Sequence, residues 1–147
     1  MTSRELDNLV QSGLLKAEQG DQREFDGLLN SGRKRLADAK VRGLSPEGRF
    51  SLAYDAAHAF SLAALRWHGY RPDRKRFVVF QALQHTLGLT ADVWRVLDKC
   101  HRARNLAEYE GYFEVDAQLL AELLATTERL CKAVERLGPI HKAPSKR

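Results

Sequence analysis

Residues 45–68 constrain the fold more than any other stretch. Ser45-Pro46-Glu47 is a helix start: a hydroxyl that can accept a free backbone N–H, proline at the first helical position, and an acid in the first turn. From there to about His68 the pattern is apolar on nearly every side, from Phe50, Ala53, Tyr54 and Ala57 through Phe60, Leu65 and Trp67. A helix with so little polar face has to be enclosed by other elements or by an interface. Its many alanines permit close approach of neighbouring helices. A chain built around such a segment is a helical bundle with this helix at its centre.

The flanking segments agree. Leu6, Leu9 and Val10 predict a short first helix ending near Gly13. Asp21-Gln22-Arg23-Glu24 reads as a capping box, in which the aspartate accepts from the helix start and the glutamate reaches back. Behind it Phe25, Leu28, Leu29, Leu36 and Ala39 recur at helical period, with Gly32 on the same face, and the helix should end near Gly43. Gly69 to Asp73 reads as a turn, and Phe77, Val78, Phe80, Leu83 and Leu87 as one helix. Thr90-Ala91-Asp92 should cap a helix carrying Trp94, Leu97, His101 and Arg104 on one face, broken at Gly111. Asp116 opens a last helix, with Val115 and Leu120 placed as a hydrophobic staple and Gly138-Pro139 as its stop. No segment alternates with strand period. The expectation is an all-α, up-and-down bundle of about five main helices over residues 1–137, followed by a disordered basic tail, 138–147. There is no internal repeat.

Composition narrows the function classes. A chain of 147 residues with 44% hydrophobic and 29% charged residues can bury a real core. The formal charge is +5, but Lys142, Lys146 and Arg147 contribute three of it, so residues 1–137 carry only +2. That is too weak to argue nucleic-acid binding by charge alone. Cys100 and Cys131 have neither CxxC nor zinc-finger spacing and read as reduced, buried thiols. The polar N-terminus shows no signal-peptide pattern and no apolar run reaches membrane length, so a cytoplasmic location is expected. P-loop, GxGxxG, nucleophile-elbow and HExxH motifs are missing. The five histidines are scattered, so neither a metal nor a cofactor is expected.

Chemistry concentrates where the penultimate helical pattern runs out, between His101 and Tyr112. His101 and Arg104 are three residues apart and share a helix face with Trp94 and Leu97. An arginine that continues an apolar stripe needs a partner. On spacing alone this is an Arg104–Glu108 pair with Asn105 and Tyr109 beside it. The same atoms also suit phosphate: Arg104 offers a planar fork, Asn105 an orienting amide, and His101 or Tyr109 a group to move the proton of a ribose 2′-hydroxyl. Tyrosine is the poorer proton carrier, with an unperturbed pKa of about 10. Arg102 and Tyr112 flank the cluster. Arg71, Arg74, Lys75 and Arg76 crowd the preceding turn, either as a solvated loop or as a patch that tracks phosphates. Asp55 and His58 are three apart on the central helix, where His58 reads as a satisfied core histidine rather than as half of a catalytic pair, and His85 reads as structural.

Two stretches carry a family resemblance. Tyr54-Asp55-Ala56-Ala57-His58-Ala59-Phe60 continues through Leu65-Arg66-Trp67-His68-Gly69-Tyr70-Arg71-Pro72 to His85-Thr86-Leu87, and Arg104-Asn105-Leu106-Ala107-Glu108-Tyr109 follows. Over roughly residues 45–137 the chain resembles the HEPN-domain family, small helical proteins of bacteria and archaea with eukaryotic relatives. The resemblance implies a homodimer with paired arginine motifs facing an inter-subunit cleft that binds RNA or nucleotide. It also implies metal-independent ribonuclease activity in active members, often as toxins restrained by a nucleotidyltransferase antitoxin, and roles in phage defence. Arg104 and Asn105 match the motif, while Tyr109 stands where the family has histidine. The nucleotidyltransferase motif is missing, so that partner would be a separate chain. The rival expectation is a non-catalytic helical module for nucleotide binding or protein interaction.

Overall fold

The computed structural model of the chain describes residues 4–111 and 115–140. Seven helices and two short strands follow in the order α1 (Arg4–Gln11), β1 (Leu15–Ala17), α2 (Gln22–Ala39), α3 (Pro46–Trp67), β2 (Tyr70–Pro72), α4 (Val78–Gln81), α5 (Leu83–Thr86), α6 (Ala91–Glu110) and α7 (Ala117–Glu135). The molecule is mostly helical, as the patterning requires, with four long helices.

Helix α3 packs chiefly against α2 and α7, and α6 packs on α7. Along α3, Phe50, Ala53, Ala56, Ala57, Phe60, Ala63, Ala64 and Leu65 are all buried. They meet Phe25, Leu29 and Leu36 of α2 and Leu123, Leu130 and Val134 of α7 in one core. Close approach of α2 and α3 depends on Gly32: a Cβ there would stand 2.5 Å from the Phe60 ring. Both cysteines are free and buried. No described helix is long and apolar enough to cross a membrane.

Local signals set the helix starts. Ser45 Oγ accepts from the Gly48 N–H at 3.0 Å, and Asp116 accepts from Gln118 N–H at 2.9 Å. Asp21 accepts from Arg23 N–H at 2.9 Å. The capping box is only half made, because Glu24 turns away to Arg66 and Arg71. Thr90 precedes α6 without capping it through its side chain; its hydroxyl instead bonds the Asp92 carboxylate. At the other end Gly111 adopts φ 80° and closes α6 with a bond to the Ala107 carbonyl.

Several expectations are corrected. Residues 70–72 form a strand, not a turn: Tyr70, Arg71 and Pro72 pair antiparallel with Ala17, Lys16 and Leu15. Three-residue strands are too short to show an alternation, so the sequence pattern misses them. The helix expected over 77–87 is two short helices that meet at Ala82. Helix α2 ends at Ala39, short of Gly43. At the C-terminal end, Gly138 and Ile140 were expected in the disordered tail. Here Gly138 accepts from Trp67 Nε1 at 3.1 Å, and the Ile140 N–H donates to Gln22 at 2.7 Å. Tyr112 and residues 141–147 lie outside the described residues.

Candidate functional site

The polar cluster forms where α3 and α6 face each other. Tyr54, Asp55 and His58 share one side of α3 through their three- and four-residue spacing, and His101, Arg104, Asn105 and Glu108 do the same on α6. The segment before α4 supplies Arg76 and Phe77. Phe77 packs on the His101 ring with centroids 4.1 Å apart and also touches Phe80 and Trp94, which fixes the segment against α6.

The sequence-predicted pairing of Arg104 with Glu108 does not form. Arg104 reaches across to α3, where Nη1 donates to Asp55 Oδ1 at 3.0 Å. Its guanidinium carbon lies 4.7 Å from the centre of the Tyr54 ring. This pairing links residues 49 positions apart, and it stacks the cation on an aromatic face as well. Asn105 likewise turns from Tyr109 to His101, its amide nitrogen donating to Nε2 at 3.1 Å. With Nε2 accepting, the neutral ring carries its proton on Nδ1 and donates to Tyr54 Oη, 3.0 Å away. Tyr109, expected to assist proton transfer, is 93% exposed and does not face the cleft. The helix face it occupies points outward.

Burial sets the protonation states. It lowers the His101 pKa; the Asp98 and Glu108 carboxylates oppose this, and the Arg104 charge reinforces it. His58 falls to about 4, mainly by burial and then by the charge of Arg76. Both imidazoles are therefore neutral at pH 7. Burial also lifts the Tyr54 phenol to about 12, against the pull of Arg104. The phenol stays protonated.

Two adjoining clefts open here. The smaller, of about 200 Å³, lies between Tyr54, Arg76, His101 and Arg104. The larger, of about 540 Å³, extends over Ala59 and Leu62 toward Arg35 of α2 and Pro72 of β2. Asp55, His58, Arg76 and Arg104 line both. Among the described residues of the larger cleft, Asp55 is the one carboxylate beside the guanidiniums of Arg35, Arg76 and Arg104 and bonds only Arg104, while Arg71 is held by Glu18 and Glu24 at 2.8 and 2.9 Å. Arg71 is thus a paired strand residue rather than a free phosphate contact. Arg74 and Lys75 are exposed and line neither cleft, and Arg102 pairs with Asp98 on the outer side of α6. Glu108 borders the smaller cleft. Among the described residues no group of three or more His, Cys, Asp or Glu is placed to hold a metal ion.

Reading the sequence for the site missed the α3 side. His58 was expected to be a satisfied core histidine; instead its Nε2 is buried with no hydrogen-bond partner among the described residues, and Asp55 holds Arg104. The signal was present: Tyr54, Asp55 and His58 are polar residues clustered within an alanine-rich helix, where unpaired polar groups are costly. No protein-family model, curated protein or solved structure matches the chain.

Proposed function

We propose that the α3–α6 cleft binds the phosphate of RNA or a nucleotide, with Arg104 and Arg76 as its anion contacts, in a HEPN-like homodimer. The observation that carries this reading is the excess of guanidinium over carboxylate around the larger cleft, where Arg35, Arg76 and Arg104 face Asp55 beside the neutral imidazole of His58. Among the described residues Arg104 makes one hydrogen bond, to Asp55, and its remaining donors can hold an anion beside that carboxylate. Arg76 is exposed with no ion pair among the described residues. Leu106 and Tyr109 are large exposed apolar side chains one turn apart near the end of α6, which supports a second copy docking beside the cleft.

Two versions of the reading differ in chemistry. In the stronger one the protein is a metal-independent ribonuclease, a toxin restrained by a separate nucleotidyltransferase chain. In the weaker one it binds without cutting. The binding version is favoured by His101, whose two ring nitrogens are both committed to Tyr54 and Asn105. A base with no free nitrogen has no site for a substrate proton.

The test uses a labelled mixed RNA pool in EDTA, read for binding by anisotropy and for cleavage on a gel. Wild-type protein should bind with an affinity that falls steeply with salt. Arg104→Ala, folded and of equal size by sedimentation, should bind at least about tenfold more weakly, as expected for loss of a charge-assisted contact. Equal binding by both proteins would refute the cleft. Cleavage that disappears with Arg104 would establish the nuclease version.

A further inference from the structure

We propose that His58 is a specificity residue that reads the ribose 2′-hydroxyl of a ribonucleotide whose phosphate rests on Arg76 and Arg104. The inference builds on phosphate binding by the cleft and adds what chooses among phosphate ligands.

Two buried side-chain atoms among the described residues have no hydrogen-bond partner, His58 Nε2 and Thr86 Oγ1. Of the two residues, His58 lines both clefts and Thr86 lines neither. A buried polar atom without a partner is costly and calls for an explanation in an unmet ligand or water. The Arg76 backbone beside the ring favours its protonated form, as a carbonyl acceptor does. With that carbonyl taking the proton on Nδ1, Nε2 is left unprotonated. The Nε2 lone pair is then an acceptor waiting for an O–H or N–H. Phe80 packs edge-on against the ring with centroids 5.9 Å apart, so its orientation is held from behind.

The surroundings identify the donor. Arg76 and Arg104 line the same cleft as His58, so an O–H next to a phosphate fits the juxtaposition. The 2′-hydroxyl beside a 3′-phosphate has this arrangement, and the deoxy sugar lacks it. The larger cleft continues over the apolar side chains of Ala59, Leu62 and Pro72, a surface for the flat face of a base. Arg76, exposed and unpaired, turns onto the phosphate as the ligand reaches the ring.

Three probes test this by NMR titration of the full chain: inorganic phosphate, adenosine 3′-monophosphate and its 2′-deoxy analogue. Wild-type protein should prefer the ribonucleotide by roughly tenfold, the effect of leaving one buried acceptor unmet. His58→Phe keeps the ring's shape and its packing on Phe80 but cannot accept. It should bind the two nucleotides equally, at the affinity the wild type shows for the deoxy analogue. Equal wild-type affinity for both nucleotides, with phosphate still bound, overturns the role of His58 and leaves the cleft reading intact. A ribose preference that survives in folded His58→Phe overturns it too. No binding of any probe by wild-type protein overturns the cleft reading itself.

Discussion

Arg66 and Arg104 are both partnered to carboxylates beside α3, yet their environments are opposite. Arg66 is 1% exposed, and each of its guanidinium nitrogens is engaged. Nε donates to Glu24 at 2.7 Å, Nη1 to the Glu18 and Tyr70 carbonyls, and Nη2 to the Gln19 carbonyl, with the Glu18 carboxylate 3.2 Å away. Three of its acceptors belong to the segment between β1 and α2 and to β2, so Arg66 ties the small sheet to the helical core. Arg104 has a side chain 37% exposed and makes one ion pair and one aromatic contact. A saturated guanidinium is part of the architecture and has nothing left to offer a ligand. An unsaturated one at a cleft is available. Counting engaged donors therefore separates two arginines that sequence spacing treats alike.

The sharpest way to break this contrast is to remove each arginine in turn. Arg66→Ala should cost roughly 3–5 kcal/mol, because it strands three carbonyls and leaves Glu18 and Glu24 with Arg71 alone. Urea unfolding would read this directly, and Arg66→Lys should recover only part, since an ammonium cannot span the same acceptors. A loss below about 1 kcal/mol, the range of exposed ion pairs, would erase the contrast.

A smaller effect follows from pH. Burial is the largest influence on Glu24 and pushes its carboxyl up, but the hydrogen bonds and charges of Arg66 and Arg71 outweigh it, leaving the folded pKa lowered. A lowered folded pKa means stability that is present above the ordinary glutamate value of about 4.3 and lost as pH falls through the folded value. The stability gap between wild type and Glu24→Gln, measured by urea unfolding at stepped pH, should be full at pH 7 and close in acid. A gap that stays constant into acid would show that the network does not depend on the Glu24 charge.

Arg104→Ala should cost only about 0.5–1 kcal/mol of stability, the range of a half-exposed ion pair with a cation–aromatic contact. Its effect belongs in ligand binding. A loss of 3 kcal/mol or more would place Arg104 with Arg66 as architecture. Smallest of all, Tyr109→Ala should change thermal stability by less than about 0.5 kcal/mol, as for a surface site without special contacts, and leave phosphate binding by the cleft unchanged. A large loss of affinity would return Tyr109 to the site.

How far the site was legible follows from the same pair of regions. The α6 stripe of His101, Arg104 and Asn105 was readable because its members lie within one helical turn of each other, and the structure does gather them. Their partners were not readable. Spacing paired Arg104 with Glu108, four residues away, whereas the bond goes to Asp55, 49 residues away. Asn105 was assigned to phosphate and instead holds the His101 ring. Arg66 gave no sign of its role, because its acceptors are the Glu24 carboxylate and the carbonyls of Glu18, Gln19 and Tyr70, and backbone carbonyls carry no sequence pattern pointing to an arginine.

What the amino-acid order determined by itself is local: the caps at Asp21, Ser45 and Asp116, the breaks at Gly69 and Gly111, and the enclosure of the central helix. Each of these acts over three or four residues, within the reach of a single backbone turn. Tertiary structure decided which carboxylate each arginine meets, that residues 15–17 and 70–72 pair, and that His58 keeps a bare nitrogen at a cleft. Asp21 and Glu24 show the division in one motif. The aspartate capped α2 because its acceptor role is satisfied next door, while the glutamate left the box because a buried arginine 42 residues on offered a charged hydrogen bond in a drier place.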